Sequence, residues 1–196
     1  MTTNRLPVRG RPRRFDPDEA VATAQRLFHA KGYDGVSVAD LTKALGINPP
    51  SFYAAFGSKA QMYTKVLDRY ALSGAVPLSE ILGADRPLAD SLAQVLEQAA
   101  RSYAADPTAT GCMVLEGTRC HDSDAREAAC AFHVAAQDFI RNSIAQRYPL
   151  EADRLADFVS TTMAGLSASA RHGQSLDRLL ATARLAGKAL AQVLPA

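Results

Sequence analysis

The chain of 196 residues has no tryptophan, only three cysteines and few aromatic residues, 7% in all. An odd and small number of cysteines fits a reducing cytoplasm and not the paired framework of a disulfide-stabilised secreted protein. No stretch approaches the ~20 apolar residues of a membrane span, and residues 1–14 lack the apolar centre of a signal peptide. These absences predict a soluble cytoplasmic protein with no membrane partner.

The sequence also lacks the motifs of common enzyme classes. There is no phosphate-binding glycine loop, no HExxH and no GxSxG, and the acidic residues are scattered. The enzyme alternative is a thiol catalyst that pairs Cys120 with His121 or with His133. Adjacent helical residues point apart and no third orienting group is apparent, so we expect no catalytic residue, no cofactor and no metal.

Acidic residues are absent from residues 1–15, which contain five arginines, among them Arg9, Arg11, Arg13 and Arg14. Residues 1–60 hold nine Lys and Arg against five Asp and Glu, whereas the remainder holds thirteen against fifteen. A basic arm can neutralise phosphates or enter a narrow, A·T-rich minor groove. We therefore interpret the four named arginines as DNA-contacting, with a merely solubilising tail as the alternative.

A short helix is predicted to begin after residue 37 and to end at a glycine. Ser37 and Asp40 have the spacing of a capping box, in which each side chain binds a backbone N–H of the other residue. The helix therefore begins at Val38. Gly46 supplies the positive φ that ends this helix and turns the chain toward the next one.

A second short helix follows Asn48, a preferred N-cap, and begins at Pro49 or Pro50. At about 100° per residue, Phe52 and Phe56 lie together and form a buried stripe. The opposite face can lie close to a DNA major groove because it is made of small residues, namely Pro50, Ser51 and Ala54, with Tyr53 at its edge. The two helices are typical of a helix-turn-helix DNA-binding motif, and an ordinary helical hairpin is the alternative.

A specific pattern extends over about residues 16–63. Its elements are Gly32-Tyr33, Gly35, Ser37-Val38, the run from Leu41 to Leu45-Gly46, and Ser51-Phe52-Tyr53-Ala54-Ala55-Phe56-Gly57-Ser58-Lys59. The pattern resembles the N-terminal domain of the TetR/AcrR transcriptional regulators. This resemblance implies a DNA-binding repressor that binds a near-palindromic operator as a homodimer and is released by a small-molecule or chemical inducer.

The resemblance also implies roles for individual residues. Tyr53 and Lys59 would contact phosphates, and Asn48 through Ser51, which include Pro49 and Pro50, would lie near base edges together with Ala54. The family often has Lys, Gly or a small residue, and His at positions 49, 50 and 54, where this sequence has Pro, Pro and Ala. Because these side chains offer no hydrogen bond, we expect A·T-rich half-sites recognised through thymine methyl groups and DNA shape.

The periodicity beyond the motif predicts helices throughout and no alternating strand pattern. Helices are expected from Asp16-Pro17 to Lys31, from Ser58 to about Ala71, and over 88–104, 112–119, 124–148, 154–171 and 176–194. The expected fold class is all-α. A three-helix helix-turn-helix DNA-binding domain in residues 16–63 follows the arm of residues 1–15 and precedes a larger helical ligand-binding and dimerisation domain in residues 64–196.

The last two predicted helices have surfaces suited to close packing. The first has a ridge of small residues, and the second has an apolar face that could match it. Two such helices from each of two chains would form a four-helix homodimer interface, unless both surfaces face the chain's own core. The ridge consists of Ala156, Ser160, Ala164, Ser167 and Ala168, and the apolar face of Leu176, Leu179, Leu180, Ala183, Ala186, Gly187 and Leu190.

The segment between residues 88 and 148 is the expected site of inducer binding. It joins the DNA-binding motif to the expected dimer interface. It also contains apolar side chains able to line a ligand cavity, namely Tyr103, Met113, Phe132 and Phe139.

The three cysteines leave several interpretations open. Cys120 is the best candidate for a reactive thiol, because Arg119 and His121 beside it would lower its pKa. Cys130 and His133 share a helix face and could both contact a metal. A cysteine-based redox or electrophile sensor and a metal sensor are therefore alternatives to simple burial as small apolar residues.

Overall fold

The computed structural model describes residues 16–194, and within them it confirms an all-α fold with no strand. None of the helices in this range is long and apolar enough to cross a membrane. The helices are α1 (Pro17–Lys31), α2 (Val38–Leu45), α3 (Pro49–Phe56), α4 (Lys59–Ser73), α5 (Leu78–Leu82), α6 (Leu88–Ala104), α7 (Met113–Gly117), α8 (Ser123–Ala145), α9 (Ala152–Arg171) and α10 (Leu176–Val193).

The capping box predicted at the start of α2 is present. The Asp40 backbone N–H donates to Ser37 Oγ over 3.1 Å, and the Ser37 N–H donates to the Asp40 carboxylate over 2.9 Å. Gly46 ends the helix with φ of 67° in the left-handed region. The chain can therefore turn sharply into α3, whose first residue is Pro49.

Two hydrophobic cores organise the molecule. The N-terminal core forms where α1, α2, α3 and α4 meet, around buried aromatic residues such as Phe28, Phe52 and Tyr63. This core extends beyond residue 63, the expected end of the DNA-binding domain, because Ala125 and Ala129 of α8 pack in it as well. The C-terminal core is built on α6, which packs against α9 and α10.

Most of the apolar face of α10 that was expected at the dimer interface packs against its own chain, although Leu176 is 38% exposed. Leu179, Ala183 and Leu190 are buried in the C-terminal core. Gly187 allows close contact with α6, since a Cβ there would lie 2.8 Å from the Cβ of Ala93. The apolar face of an amphipathic helix packs against another apolar surface. The sequence pattern alone does not show whether that surface belongs to the same chain or to a second copy.

Only part of the small-residue ridge of α9 is exposed and free to form an interface. Ala156, Ser160 and Ser167 are buried within the chain, whereas Ala168 is exposed. The Oγ of Ser167 accepts a hydrogen bond of 2.8 Å from the Cys112 backbone N–H. A dimer interface on α9 and α10 must therefore use their outward faces.

Candidate nucleic-acid interface and ligand cavity

The orientation of α3 is fixed by two buried phenylalanines. The rings of Phe52 and Phe56 lie 5.5 Å apart in the N-terminal core. Their burial leaves Pro50, Ser51 and Ala54 exposed on the other side of the helix. The face predicted to approach DNA is therefore free of core contacts.

The flanks of this exposed face offer few hydrogen-bonding groups. Asn48 Oδ1 caps α3 by accepting the Ser51 backbone N–H over 2.9 Å, so this oxygen is engaged. Pro49 is exposed and has no N–H. Tyr53 is 51% exposed, and its ring packs edge-on against Phe52 with centroids 5.6 Å apart. A phenol at this edge can donate to a phosphate.

Lys59, the first residue of α4, lies at a polar junction between the N-terminal domain and the loop before α8. Its Nζ lies 3.9 Å above the centroid of the Tyr33 ring. Burial lowers the pKa of Lys59, and the nearby carboxylates of Asp34 and Asp122 partly oppose that shift. Tyr33 in turn donates its hydroxyl to Asp122 over 3.0 Å. The ammonium group of Lys59 is therefore held over the Tyr33 ring and is not part of the exposed face of α3.

The same loop forms a second link to the N-terminal domain. His121 Nδ1 lies 2.9 Å from the Asp34 carboxylate, and the His121 backbone N–H donates to the same carboxylate over 3.0 Å. We call residues 118–122, between α7 and α8, the α7–α8 corner. Through Asp34 and Tyr33, this corner fastens the DNA-binding motif to the start of α8.

The expected DNA-contacting arginines Arg9, Arg11, Arg13 and Arg14 lie outside the described residues.

A cavity of about 430 Å³ opens between α4, α5 and α8, with α6, α7 and α9 contributing to its wall. Three of the expected ligand-binding residues, Tyr103, Phe132 and Phe139, line it. Met113 does not, which corrects the expectation. Its side chain is buried in the N-terminal core, and its carbonyl accepts the hydroxyl of Tyr63 over 3.3 Å.

The cavity wall also contains polar groups. Burial raises the pKa of the Tyr70 and Tyr103 phenols, and the nearby Cys112 side chain acts in the same direction. His133 lines the cavity as well, and burial lowers the pKa of its imidazole. Cys112 is therefore the cysteine of the cavity, a position for which the sequence carried no signal.

Cys120 does not have the environment expected of a reactive thiol. It is buried in the N-terminal core, and its pKa is raised by burial and by the carboxylates of Asp34 and Asp122. Its Sγ donates to the Asp122 carbonyl over 3.5 Å. The expectation of a lowered pKa is wrong because the thiol is buried and lies near two carboxylates.

Cys130 and His133 do not belong to a larger ligand set. Within residues 16–194, no group of three or more His, Cys, Asp or Glu side chains could hold a metal ion. Cys130 is half-buried and lies outside the cavity wall, whereas His133 lies on it. Two side chains are fewer than a structural or catalytic zinc site uses.

Comparison with known proteins gives a family. The model of the tetR family of bacterial regulatory proteins matches residues 20–66. The HTH-type transcriptional repressor BdcR of Escherichia coli (strain K12) is 50% identical over 194 residues, which cover 99% of this chain and 98% of that repressor. The chain belongs to the tetR family. The resemblance that the motif indicated is confirmed.

Two further proteins are similar over most of the chain. The HTH-type transcriptional repressor ComR of Escherichia coli (strain K12) is 30% identical, with 88% of this chain and 87% of ComR covered. A solved structure of a cysteine mutant of the TetR family regulator CifR, in complex with a 26-bp double-strand operator DNA, has a TM-score of 0.83. It is 29% identical and covers 91% of this chain and 99% of its own. The similarity therefore extends beyond the DNA-binding motif over most of the chain.

Proposed function

We propose that this TetR-family protein is a transcriptional repressor that binds a near-palindromic operator as a homodimer in the cytoplasm. Its N-terminal domain binds DNA, and the remainder binds an inducer and dimerises. The observation on which the proposal rests is the exposed, small-residue face of α3, fixed by the burial of Phe52 and Phe56. The identity to the repressor BdcR and the similarity to a CifR structure with operator DNA support it.

On this proposal, α3 reads bases mainly without hydrogen bonds. Pro50 and Ala54 contact thymine methyl groups, while Ser51 supplies the available hydroxyl. Tyr53 contacts a phosphate at the edge of the face. Lys59 contributes through its backbone N–H, since the N-terminus of α4 attracts phosphate while Nζ stays over Tyr33.

The proposed dimer forms through the outward faces of α9 and α10. Leu185 is 70% exposed and Phe158 is 39% exposed, although both are large apolar residues. The inner faces of the same helices are filled by the C-terminal core. Pairing two copies about a two-fold axis would cover these side chains and bring four helices together at the interface.

The proposed inducer acts through α8. Phe132 and Phe139 of this helix line the cavity, whereas Ala125 and Ala129, nearer its start, pack in the N-terminal core. A ligand that shifts α8 therefore shifts the α7–α8 corner and the DNA-binding motif fastened to it. Release follows if the ligand binds the shifted state more tightly than the DNA-bound state.

Selection of bound duplexes from random DNA tests this function. We expect the purified full-length protein to enrich an inverted repeat with A·T-rich half-sites, because a symmetric dimer recognises a symmetric site. Tyr53→Phe should lower affinity for all enriched and control duplexes by a similar factor, as loss of a phosphate contact does. Failure to enrich any sequence, or enrichment of a single unrepeated half-site, would contradict the proposal.

A further inference from the structure

His29, near the end of α1, joins the DNA-binding motif to the C-terminal half of the molecule. Its Nε2 lies 3.0 Å from the carbonyl oxygen of Gly111, in residues 105–112, which we call the α6–α7 loop. Because a carbonyl only accepts, Nε2 carries the hydrogen in this contact and donates it. The half-buried ring also packs edge-on against Tyr70 of α4, with centroids 5.6 Å apart. His29 therefore contacts α4 and the α6–α7 loop at once.

The Gly111 carbonyl is held in place by the C-terminal half. The Gly111 N–H donates to the carbonyl of Tyr103 in α6 over 2.8 Å. Its φ of 78° lies in the left-handed region, and a Cβ there would lie 2.9 Å from Cγ of Arg171 and 3.0 Å from the carbonyl oxygen of Ser167, both in α9. The loop is thus packed against α6 and α9, and His29 ties α1 to that fixed point.

A proton on His29 would face charged groups from several neighbouring elements. Arg171 of α9 pairs through Nε with the carboxylate of Glu116 in α7 over 2.9 Å, and Asp106 lies exposed in the α6–α7 loop. Burial lowers the pKa of His29 and Arg171 acts in the same direction, whereas the hydrogen bond to the loop and Asp106 oppose the shift. Tyr70 stays neutral, because burial raises the pKa of its phenol. The closed contact therefore disfavours the imidazolium.

We propose that neutral His29 positions α1 for operator binding, and that a proton on its ring weakens operator binding by opening the contact between α1 and the α6–α7 loop. Opening moves the ring away from Arg171 and into water, which restores the hydration that a charged imidazole favours. The proposal rests on the proposed function, since it concerns the homodimer on its operator. In it His29 contacts no DNA and acts through the orientation of α1.

Movement of α1 also moves the helix that reads the bases. Phe28, the neighbour of His29, is 1% exposed and lies in the N-terminal core with Phe52 of α3. A homodimer presents both copies of α3 to half-sites at a fixed spacing, so a change in the orientation of the motif weakens binding. If opening restores the ordinary pKa of about 6.5, linkage gives a loss of up to about tenfold for each protomer at about pH 5.5. The effect vanishes above about pH 7.5, where His29 is neutral in both states.

The dependence of operator affinity on pH tests the proposal. Fluorescence anisotropy with the full-length protein and a selected duplex, at constant ionic strength, would compare about pH 7.5 with about pH 5.5, on either side of the ordinary imidazole pKa. We expect acidification to weaken the wild type about threefold to tenfold more than His29→Gln, which keeps an N–H donor but cannot take up a proton. His172→Gln is the matched control, since His172 is exposed, and should weaken as much as the wild type. Equal weakening of the wild type and His29→Gln would overturn the proposal.

A second measurement does not depend on the variant. An NMR titration of the His29 ring, with and without the duplex, measures the linkage directly, and circular dichroism at each pH separates loss of binding from unfolding. We expect the His29 pKa to be lower with the duplex bound than without it. The same or a higher His29 pKa on the duplex would overturn the proposal, even if His29→Gln failed to fold. A wild type that selects no duplex at about pH 7.5, where His29 is neutral, would contradict the proposed function and this proposal with it.

Discussion

Phe52 and Phe56 set the direction in which α3 faces. Burying a phenylalanine side chain contributes roughly 1.5–3 kcal/mol, so a rotation of the helix that exposed both rings would be strongly unfavourable. The short helix has only eight residues and would not be stable alone in water. Burial of the two rings therefore stabilises a helix that would not form alone. It also leaves Pro50, Ser51 and Ala54 exposed on the opposite face.

His29 should make the stability of the protein depend on pH near neutrality. Its Nε2 lies 3.0 Å from the Gly111 carbonyl, which joins α1 to the loop before α7. Burial lowers the pKa of His29, with Arg171 acting in the same direction, while the Gly111 bond and Asp106 oppose it. Because the folded pKa lies below the unfolded value of about 6.5, protonation favours unfolding, and stability falls as pH drops from about 7.5 toward 5.5.

Thermal melts across that pH range measure the effect. We expect His29→Gln, which keeps a side-chain N–H donor, to flatten the slope of melting temperature against pH. His133, whose pKa burial also lowers, should account for a further part. His172→Gln is the control because His172 is exposed. An unchanged slope in His29→Gln would show that His29 is not responsible.

Among the helices, α8 connects the two halves of the molecule. Its 23 residues span about 34 Å at 1.5 Å per residue. Ala125 and Ala129 lie in the N-terminal core, whereas Ile140 and Ile144 lie in the C-terminal core. In the proposed induction mechanism, this continuous helix carries a displacement at the cavity to the α7–α8 corner.

The outward face of α10 should decide the oligomeric state. Leu185→Glu is expected to convert a dimer into a monomer, since it would place charges in an apolar interface. Light scattering after size-exclusion chromatography measures the mass directly. Leu150→Glu is the control, because Leu150 is 97% exposed in the loop between α8 and α9. A dimer that survives Leu185→Glu, or a monomer produced equally by Leu150→Glu, would contradict this interface.

Helix starts could be predicted where a side chain supplies the cap. Ser37, Asn48 and Ser58 each accept a backbone N–H three residues later, a local contact that the sequence spacing reveals. The short helix α5 was not predicted, since its five residues are too few to show a helical period and no side chain caps its start.

Other features depend on contacts between distant parts of the chain. The pKa of Cys120 is raised by burial in the N-terminal core and by the carboxylate of Asp34, 86 positions earlier in the sequence. The inward orientation of α10 depends on the contact of Gly187 with Ala93 of α6. Both contacts arise from tertiary packing, so the pattern of neighbouring residues did not contain them.

At the scale of the whole molecule, positive charge is concentrated at one end of the chain. Residues 1–60 contain nine of the 22 basic residues and only five of the 20 acidic ones. Five of these basic residues lie in the arm of residues 1–15, which is outside the described residues. The net charge of the chain, +2, therefore understates the attraction that its N-terminal part exerts on DNA.

Deletion of residues 1–14 should reduce both affinity and its salt dependence. For every phosphate that the protein no longer neutralises, the slope of log affinity against log salt concentration becomes shallower by about 0.9. Fluorescence anisotropy with a selected duplex at several salt concentrations measures the slope. Weaker binding with an unchanged slope would mean that the arm does not contact phosphates.

The most direct test of the account is whether the exposed face of α3 reads the bases. Base preference would be compared by selection from random DNA for the wild type, Ala54→Arg and Ala55→Arg. An arginine at position 54 should shift one position of each half-site toward guanine by roughly 1–3 kcal/mol, through a bidentate contact. At position 55, exposed but one residue further around the helix, it should raise affinity without changing preference. If Ala54→Arg left base preference unchanged, or if Ala55→Arg produced the guanine shift instead, a different face of α3 would lie in the groove.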